Sequence, residues 1–275
     1  MFSRARTSAR HRLMVVSAKG GVGKSTMTVN LAAALTARGY KVGIFDADIH
    51  GPNIPALLGV TQKRDLQMMN PLAMLPVEAR PDSLDMRPVK PLERHGMKVM
   101  SLGLLVGAQQ TLNPNPQEIG RIVNMLLARV DWGNADVLLI DMPPGTGEPL
   151  NTLLTEKLID GIVLVTTRES LAHMDNGRLL NLLDSYQAPV LGVVENMTHV
   201  VCPKCGELVE LYPAPAEQQE IYDETPILGQ IPFHPHLIHQ RGSPPLPLQE
   251  TDSPVKNALL ELADTVISKL PEKKS

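Results

Sequence analysis

Short apolar runs alternate along the chain with amphipathic stretches, the pattern of a mostly parallel sheet wound with helices. Leu13-Met-Val-Val16, Lys41-Val-Gly-Ile-Phe45, Lys98-Val-Met-Ser-Leu102, Val137-Leu-Leu-Ile140, Gly161-Ile-Val-Leu-Val165 and Val190-Leu-Gly-Val-Val194 read as strands. Helices fit residues 24–37, 116–130, 170–185 and 255–270. In the first, Val29, Ala32, Ala33 and Leu35 suit a face packed on the sheet, and Gly39 supplies an αL-capable residue to end it. The last carries Val255, Leu259, Leu262, Val266 and Leu270 at three- and four-residue steps. Its polar face is not strongly basic, so a terminal helix docked on the sheet is favoured over a membrane-targeting one. Residues 60–97 are rich in Pro and Met and weakly periodic, and read as a surface excursion with room for a short hairpin. There is no internal repeat and no second core. The expectation is one doubly wound α/β domain over 13–270 with helices on both faces, between a basic tail at 1–12 and a short tail at 271–275.

The loop after the first strand carries the most specific chemistry. Residues 18–26 read Ala-Lys-Gly-Gly-Val-Gly-Lys-Ser-Thr between a strand and a helix. Glycines 20, 21 and 23 let the backbone fold tightly and turn its N–H groups inward. With the positive end of the helix, these form a nest for a polyphosphate. Lys24 reaches the β- and γ-phosphates as a point charge, and the Ser25 hydroxyl joins a Mg²⁺ shell. The nucleotide-binding run is therefore Gly20, Gly21, Val22, Gly23, Lys24, Ser25 and Thr26. The ligand class is a nucleoside triphosphate with magnesium.

Composition narrows the partners. A net charge of −3 over 275 residues suggests no affinity for nucleic acid, and 3% aromatics leaves few stacking platforms for it. No apolar run approaches the length that crosses a bilayer. Two cysteines are too few for a disulfide framework. The first twelve residues hold Arg4, Arg6, Arg10, His11 and Arg12 without an acid, which resembles an abbreviated mitochondrial transit peptide. The stretch is short and runs straight into the first strand, so a disordered basic tail on a cytoplasmic protein is expected, with the mitochondrial matrix as the alternative.

Further motifs complete a triphosphatase site. Asp46 and Asp48 follow the second strand, where a carboxylate faces the ligand crevice of a parallel sheet; a cap on the next helix near Asn53 is the plainer reading. Asp141 ends an apolar strand in a Walker B pattern and should bind Mg²⁺ through a water. In the Met142-Pro-Pro-Gly-Thr-Gly147 loop that follows, Gly145 can offer its N–H to a γ-phosphate. Asn196 follows another strand, with an amide able both to donate and to accept, and Pro232 can line a base pocket. Cys202 and Cys205 form a CxxC turn, within a loop at 199–212, that points both sulfurs at one metal. The spacing leaves zinc, an iron–sulfur cluster and a redox disulfide open. Tetrahedral thiolate sites take four ligands and the chain has two cysteines, so a twofold homodimer would supply two plus two.

Lys19-Gly-Gly-Val-Gly-Lys-Ser25 resembles the deviant Walker A ATPases, the group of MinD, ParA and the nitrogenase iron protein. Together with Asp46-Ala-Asp-Ile-His-Gly-Pro-Asn-Ile-Pro55, Val130-Asp-Trp-Gly133, Asp141 to Gly147, Asn196-Met197 and Cys202-Pro-Lys-Cys205, it is similar to the Mrp/ApbC family over about residues 13–240. The resemblance implies that Lys19 crosses a dimer interface to the partner's nucleotide. It implies that Asp48 orients or deprotonates the attacking water, that Asp46 holds the magnesium shell or its loop, and that Asn196 reads adenine. Lys19, Lys24 and Asp48 are thus the catalytic set, and Ser25, Asp46, Asp48 and Asp141 the magnesium set. It further implies a [4Fe–4S] cluster bridged by Cys202 and Cys205 of two protomers, slow ATP hydrolysis, and ATP-dependent transfer of the cluster to apo-proteins. The chain departs from the family at Thr111-Leu-Asn-Pro-Asn-Pro116, where Trp-Arg-Gly-Pro is common, and at Glu148, where Asp is common. Competing readings are a positioning ATPase of the MinD/ParA type, a zinc-bridged regulatory dimer and an electron-transfer ATPase.

Overall fold

A computed structural model describes residues 9–49, 51–60, 89–105, 115–202, 204–212, 225–238, 242–250 and 252–273. Much of the Pro- and Met-rich excursion, and residues 111–114 of the departing stretch, lie outside the described residues.

The sheet has eight strands: β1 (His11–Val16), β2 (Val42–Asp46), β3 (Leu92–Arg94), β4 (Met97–Ser101), β5 (Val137–Asp141), β6 (Gly161–Thr166), β7 (Val190–Asn196) and β10 (Ile227–Ile231). Their spatial order is β10-β7-β6-β1-β5-β2-β4-β3. Every neighbour pairs in parallel except β3, which folds back on β4 as an edge hairpin through His95 and Gly96. That hairpin lies at the end of the expected excursion. A separate two-stranded ribbon joins β8 (His199–Val201) to β9 (Leu208–Glu210).

Alternation within the strands builds two cores, because successive side chains point to opposite faces. Leu13 and Val15 of β1 meet one layer, Met14 and Val16 the other, and all four are buried. Helix α1 (Lys24–Ala37) fills the first layer together with α8 (Pro254–Lys269). Because α8 covers the outer side of α1, the run from Met27 to Leu35 is buried on every side and shows little helical amphipathicity. Gly39 ends α1 at φ +89°. The second layer holds α4 (Pro116–Arg129), α5 (Leu150–Thr155) and α6 (Ser170–Ser185). Asn115 and Glu118 close a capping box at the start of α4, reciprocally satisfying two backbone donors. Within Val130 to Gly133, Trp132 is structural: its ring meets Phe45 edge-on at 6.4 Å. Three short α-helices, α2 (Ile54–Leu57), α3 (Leu102–Leu105) and α7 (Pro235–Ile238), and a 3-10 turn at Leu246–Leu248 complete the described residues.

Strand β1 begins at His11, two residues inside the stretch expected to be tail. The reason is an anchor on the opposite side of the sheet from the phosphate loop. Asp160 accepts from the Arg12 backbone N–H at 2.9 Å and from Lys273 Nζ at 2.7 Å. Burial pushes the Asp160 carboxyl up, but Lys273 and Arg12 together outweigh it and hold the group below its ordinary value. Asp160→Asn is therefore expected to lower unfolding free energy by ~1–2 kcal/mol at neutral pH. The difference should persist above the ordinary carboxylate pKa and fade as pH falls through the depressed one. Urea melts of the two proteins at neutral and acid pH measure it.

Candidate active site and cysteine hairpin

The C-terminal ends of β1, β2 and β5 carry the phosphate machinery. After Val16 the chain turns through Gly21 and Gly23, at φ +84° and +86°. Only glycine fits at Gly23 for a second reason: a Cβ there would lie 2.3 Å from Asn196 Nδ2. The first turn of α1 has no acidic residue and no side-chain cap, so its backbone donors and positive dipole end remain for an anion. A cleft of about 450 Å³ opens over this turn, within the range of small-ligand sites. Lys19, Gly20, Gly21, Gly23, Lys24, Ser25 and Thr26 form one wall. Val22 is buried behind the wall and contributes its carbonyl to Asn196 instead.

Asp141 organises the floor. It is fully buried, and its Oδ1 accepts from Lys24 Nζ and Thr28 Oγ1, both at 2.8 Å. Its Oδ2 accepts from Ser25 Oγ at 2.7 Å. The Walker B carboxylate and the Ser25 hydroxyl are thus already in contact, a donor set of oxygens that fits magnesium. The strand register sets Asp46 directly beside Asp141. Burial first, and the charge of Asp141 second, push Asp46 up to about 8. Asp46 is sealed beneath the cleft, against Ser101 Oγ at 3.0 Å and the Asp48 backbone N–H at 3.1 Å. Of its two expected places, the magnesium shell and the loop, these contacts are to the loop. By accepting from the Asp48 N–H, Asp46 shapes the loop that presents Asp48.

Asp48 does line the cleft. Its Oδ1 accepts from Gly51 N–H at 2.9 Å, which fixes the turn after β2, and it does not cap α2, whose N-terminus has no side-chain cap. His50 lies outside the described residues. Across the cleft, Asn196 and Pro232 stand together with Met197, Phe233 and His234, the mainly apolar end suited to a base. One N–H of the Asn196 amide is committed to Val22 O at 2.9 Å, so the remaining N–H and Oδ1 are left to read a purine edge.

Two expected contacts differ. Gly145 turns at φ +93°, as a glycine must, but its N–H donates to Ser17 O at 2.9 Å. It therefore does not face the cleft, and reaching a γ-phosphate requires breaking that bond. Lys19 is paired within its own chain, 3.5 Å from Asp175 on α6. Reaching across an interface requires leaving that partner. Glu148, where the family has Asp, accepts from Thr152 Oγ1 at 2.6 Å and so ties the loop to α5.

The cysteine turn closes the β8–β9 ribbon. Glu207 O accepts from Cys202 N–H and Cys202 O from Gly206 N–H, both at 2.9 Å, with Gly206 at φ +76°. The tight knuckle leaves Cys205 exposed and Cys202 half-buried. The Cys205 and Lys204 backbone N–H groups, then the Cys205 side chain, hold the Cys202 thiol below its ordinary value. That favours the thiolate, which is the metal-binding form. Among the described residues no group of three His, Cys, Asp or Glu could hold a metal ion. The knuckle therefore offers two sulfurs from one chain and no more.

The fold and the site define a P-loop nucleoside triphosphatase with the extra lysine of the deviant Walker A group. Residues 8–267 match the family described as the NUBPL iron-transfer P-loop NTPases, in the ParA group. An iron–sulfur cluster carrier protein of Pyrococcus horikoshii is 36% identical over 96% of this chain and 88% of its own. One of Methanocaldococcus jannaschii is 34% identical over 96% and 87%. The chain belongs to this family of ATP-hydrolysing P-loop proteins, whose general work is to carry iron–sulfur clusters. Among solved structures, a nucleotide-binding protein of Archaeoglobus fulgidus in complex with ADP has a TM-score of 0.66 at 29% identity, covering 92% of this chain and 88% of that one. The cell division ATPase MinD of Pyrococcus furiosus shares the fold, with a TM-score of 0.63 at 24% identity, covering 94% and 99%.

Proposed function

We propose that two copies of this chain hold one [4Fe–4S] cluster between their cysteine turns and pass it to apo-proteins under control of ATP. The count of sulfurs carries the reading. Each chain presents Cys202 and Cys205 on one tight knuckle, and a four-thiolate site needs a second copy. The cluster is cargo, so a half-exposed, two-sulfur holder suits it better than a buried cage. Two free thiols suit a reducing compartment, the cytoplasm or the mitochondrial matrix.

ATP would seat its phosphates on the glycine turn and Lys24, and Ser25 and Asp141 would hold a magnesium ion that offsets the phosphate charge. Asp48 orients the attacking water. The γ-phosphate draws the Gly145 N–H from Ser17 O, and Lys19 exchanges Asp175 for the nucleotide of the partner subunit. Both exchanges replace one existing contact by another, which suits a slow switch better than rapid turnover. A zinc-bridged dimer and a positioning ATPase of the MinD type are the rivals. The second has no use for paired thiols.

Asp48→Ala is expected to leave ATP affinity near that of the parent while hydrolysis falls about 100-fold or more, the usual contribution of a residue that handles the attacking water. Unchanged turnover would assign the water to another group. Anaerobic reconstitution with iron and sulfide tests the whole reading. The expected result is four irons and four sulfides per dimer, and faster cluster transfer to an apo-acceptor in one nucleotide state than in the other. A chain that stays single under loading, or takes up zinc without sulfide, overturns it.

A further inference from the structure

An ion-pair cluster lies between the nucleotide cleft and the cysteine ribbon, and neither the phosphate site nor the metal turn uses it. Arg168 sits in the link between β6 and α6, with its side chain only 9% exposed. Its Nε donates to Glu195 Oε2 at 3.0 Å, and Glu195 is fully buried in β7. Gln230 Nε2 on the neighbouring β10 donates to the same oxygen at 3.1 Å. A second arm of the guanidinium, Nη1, lies 3.5 Å from Glu210 Oε1 on β9, whose side chain is 64% exposed. One planar fork thus ties a rigid sheet strand to the ribbon that carries the thiols.

The same fork is joined to the phosphate loop by two routes. Glu195 directly precedes Asn196, whose amide donates to Val22 O. On the other side Asn176 Nδ2 donates to Thr166 Oγ1 at 2.7 Å, holding α6 against the end of β6 on either side of the Arg168 link. The next residue back, Asp175, pairs with Lys19. A phosphate that draws Lys19 from Asp175, or a base that engages the Asn196 amide, therefore acts on the two elements that seat Arg168. Among the described residues the ribbon has little else to set its tilt: Leu208, Val209, Leu211 and Tyr212 are exposed, and the backbone ties to the body are clustered at its base, through Phe233 N–H to His199 O and Thr198 N–H to Ile231 O.

We propose that Arg168 is a positioning residue that couples the nucleotide cleft to the attitude of the cysteine turn, through its exposed arm on Glu210. The buried Arg168 and Glu195 pair is the fixed hinge plate, and the Glu210 contact is the arm that engages or releases. The purpose of the coupling rests on the carrier reading, but its test does not.

Cys202 and Cys205 are the chain's two cysteines, so thiol alkylation of the metal-free, reduced protein reports on the ribbon alone. The quantity read is the ratio of alkylation rates with and without ATP and magnesium. In the parent this ratio departs from one. In Glu210→Gln, which alters an exposed side chain, it falls to about one while ATP affinity stays at the parent value. A merely structural contact would instead change both rates by the same factor and leave the ratio intact. Arg168→Lys keeps the charge that Glu195 needs but loses the fork, and should collapse the ratio as well; a thermal melt checks its fold. A parent ratio of one, or a Glu210→Gln ratio equal to the parent's, overturns the proposal. Iron and sulfide retention judges the carrier reading separately, so either can fail without the other.

Discussion

Lys24→Ala loses ATP binding by about 100-fold or more and reduces hydrolysis to background. A lysine ammonium on phosphate oxygens contributes ~2–3 kcal/mol, and 1.4 kcal/mol is a factor of ten. The structure adds a second consequence. Lys24 Nζ is 2.8 Å from Asp141 in a nearly dry site, with Asp46 alongside in register. Removing the ammonium leaves two buried carboxyls and one fewer cation. Stranding a buried charge in this way costs roughly 3 kcal/mol, tempered here by the Ser25 and Thr28 hydroxyls that remain on Asp141. The variant should therefore melt several degrees lower even without nucleotide, and ATP should no longer raise its melting temperature. Lys24→Met, which keeps the stem, separates packing from charge. Titration calorimetry and thermal melts measure both effects, and a variant that binds ATP like the parent would place the phosphates elsewhere.

Cys205→Ser abolishes cluster loading with ATP binding unchanged. Serine keeps the shape of the exposed knuckle but replaces a soft thiolate by a hydroxyl that stays protonated at neutral pH. A dimer of the variant would offer two sulfurs where four are needed. Iron and sulfide after anaerobic reconstitution should fall to background, together with the broad visible absorbance and the loaded dimer. Cys205 is exposed and supports no packing, so the fold should be unaffected. A cluster retained in this variant would assign its ligands to other residues.

Much of the architecture was legible because long elements repeat their pattern. The strands at β1, β2, β4, β5, β6 and β7 lie within two residues of their sequence positions, as do the four long helices. The missed elements are short or masked by composition. β3 has three residues, too few to show alternation, and α5 has six following a Gly-Glu-Pro turn. β10 contains Gly229 and is half exposed, although the Ile227-Leu-Gly-Gln-Ile231 run after Pro226 was a signal for it. The phosphate loop, Asp141 and the two cysteines were readable since each motif is contiguous. The raised pKa of Asp46 was not, because only strand register brings it against Asp141 and only the fold buries it. Lys19 with Asp175, and Arg168 with Glu195 and Glu210, depend on residues far apart in sequence that no local pattern joins.

The anchor at Asp160 also brings the two described chain ends together. Arg10 Nη2 donates to Lys273 O at 2.9 Å, and Lys273 Nζ donates to Arg10 O at 2.7 Å. Both lie at the start of β1, about 20 Å along a six-residue strand from the glycine turn. The chain thus enters the described domain at Arg10 beside the point where it leaves at Lys273, on the far rim from the glycine turn. A short linker could splice the ends into a circle, leaving new termini to be cut at an exposed loop such as the one beside Asn134.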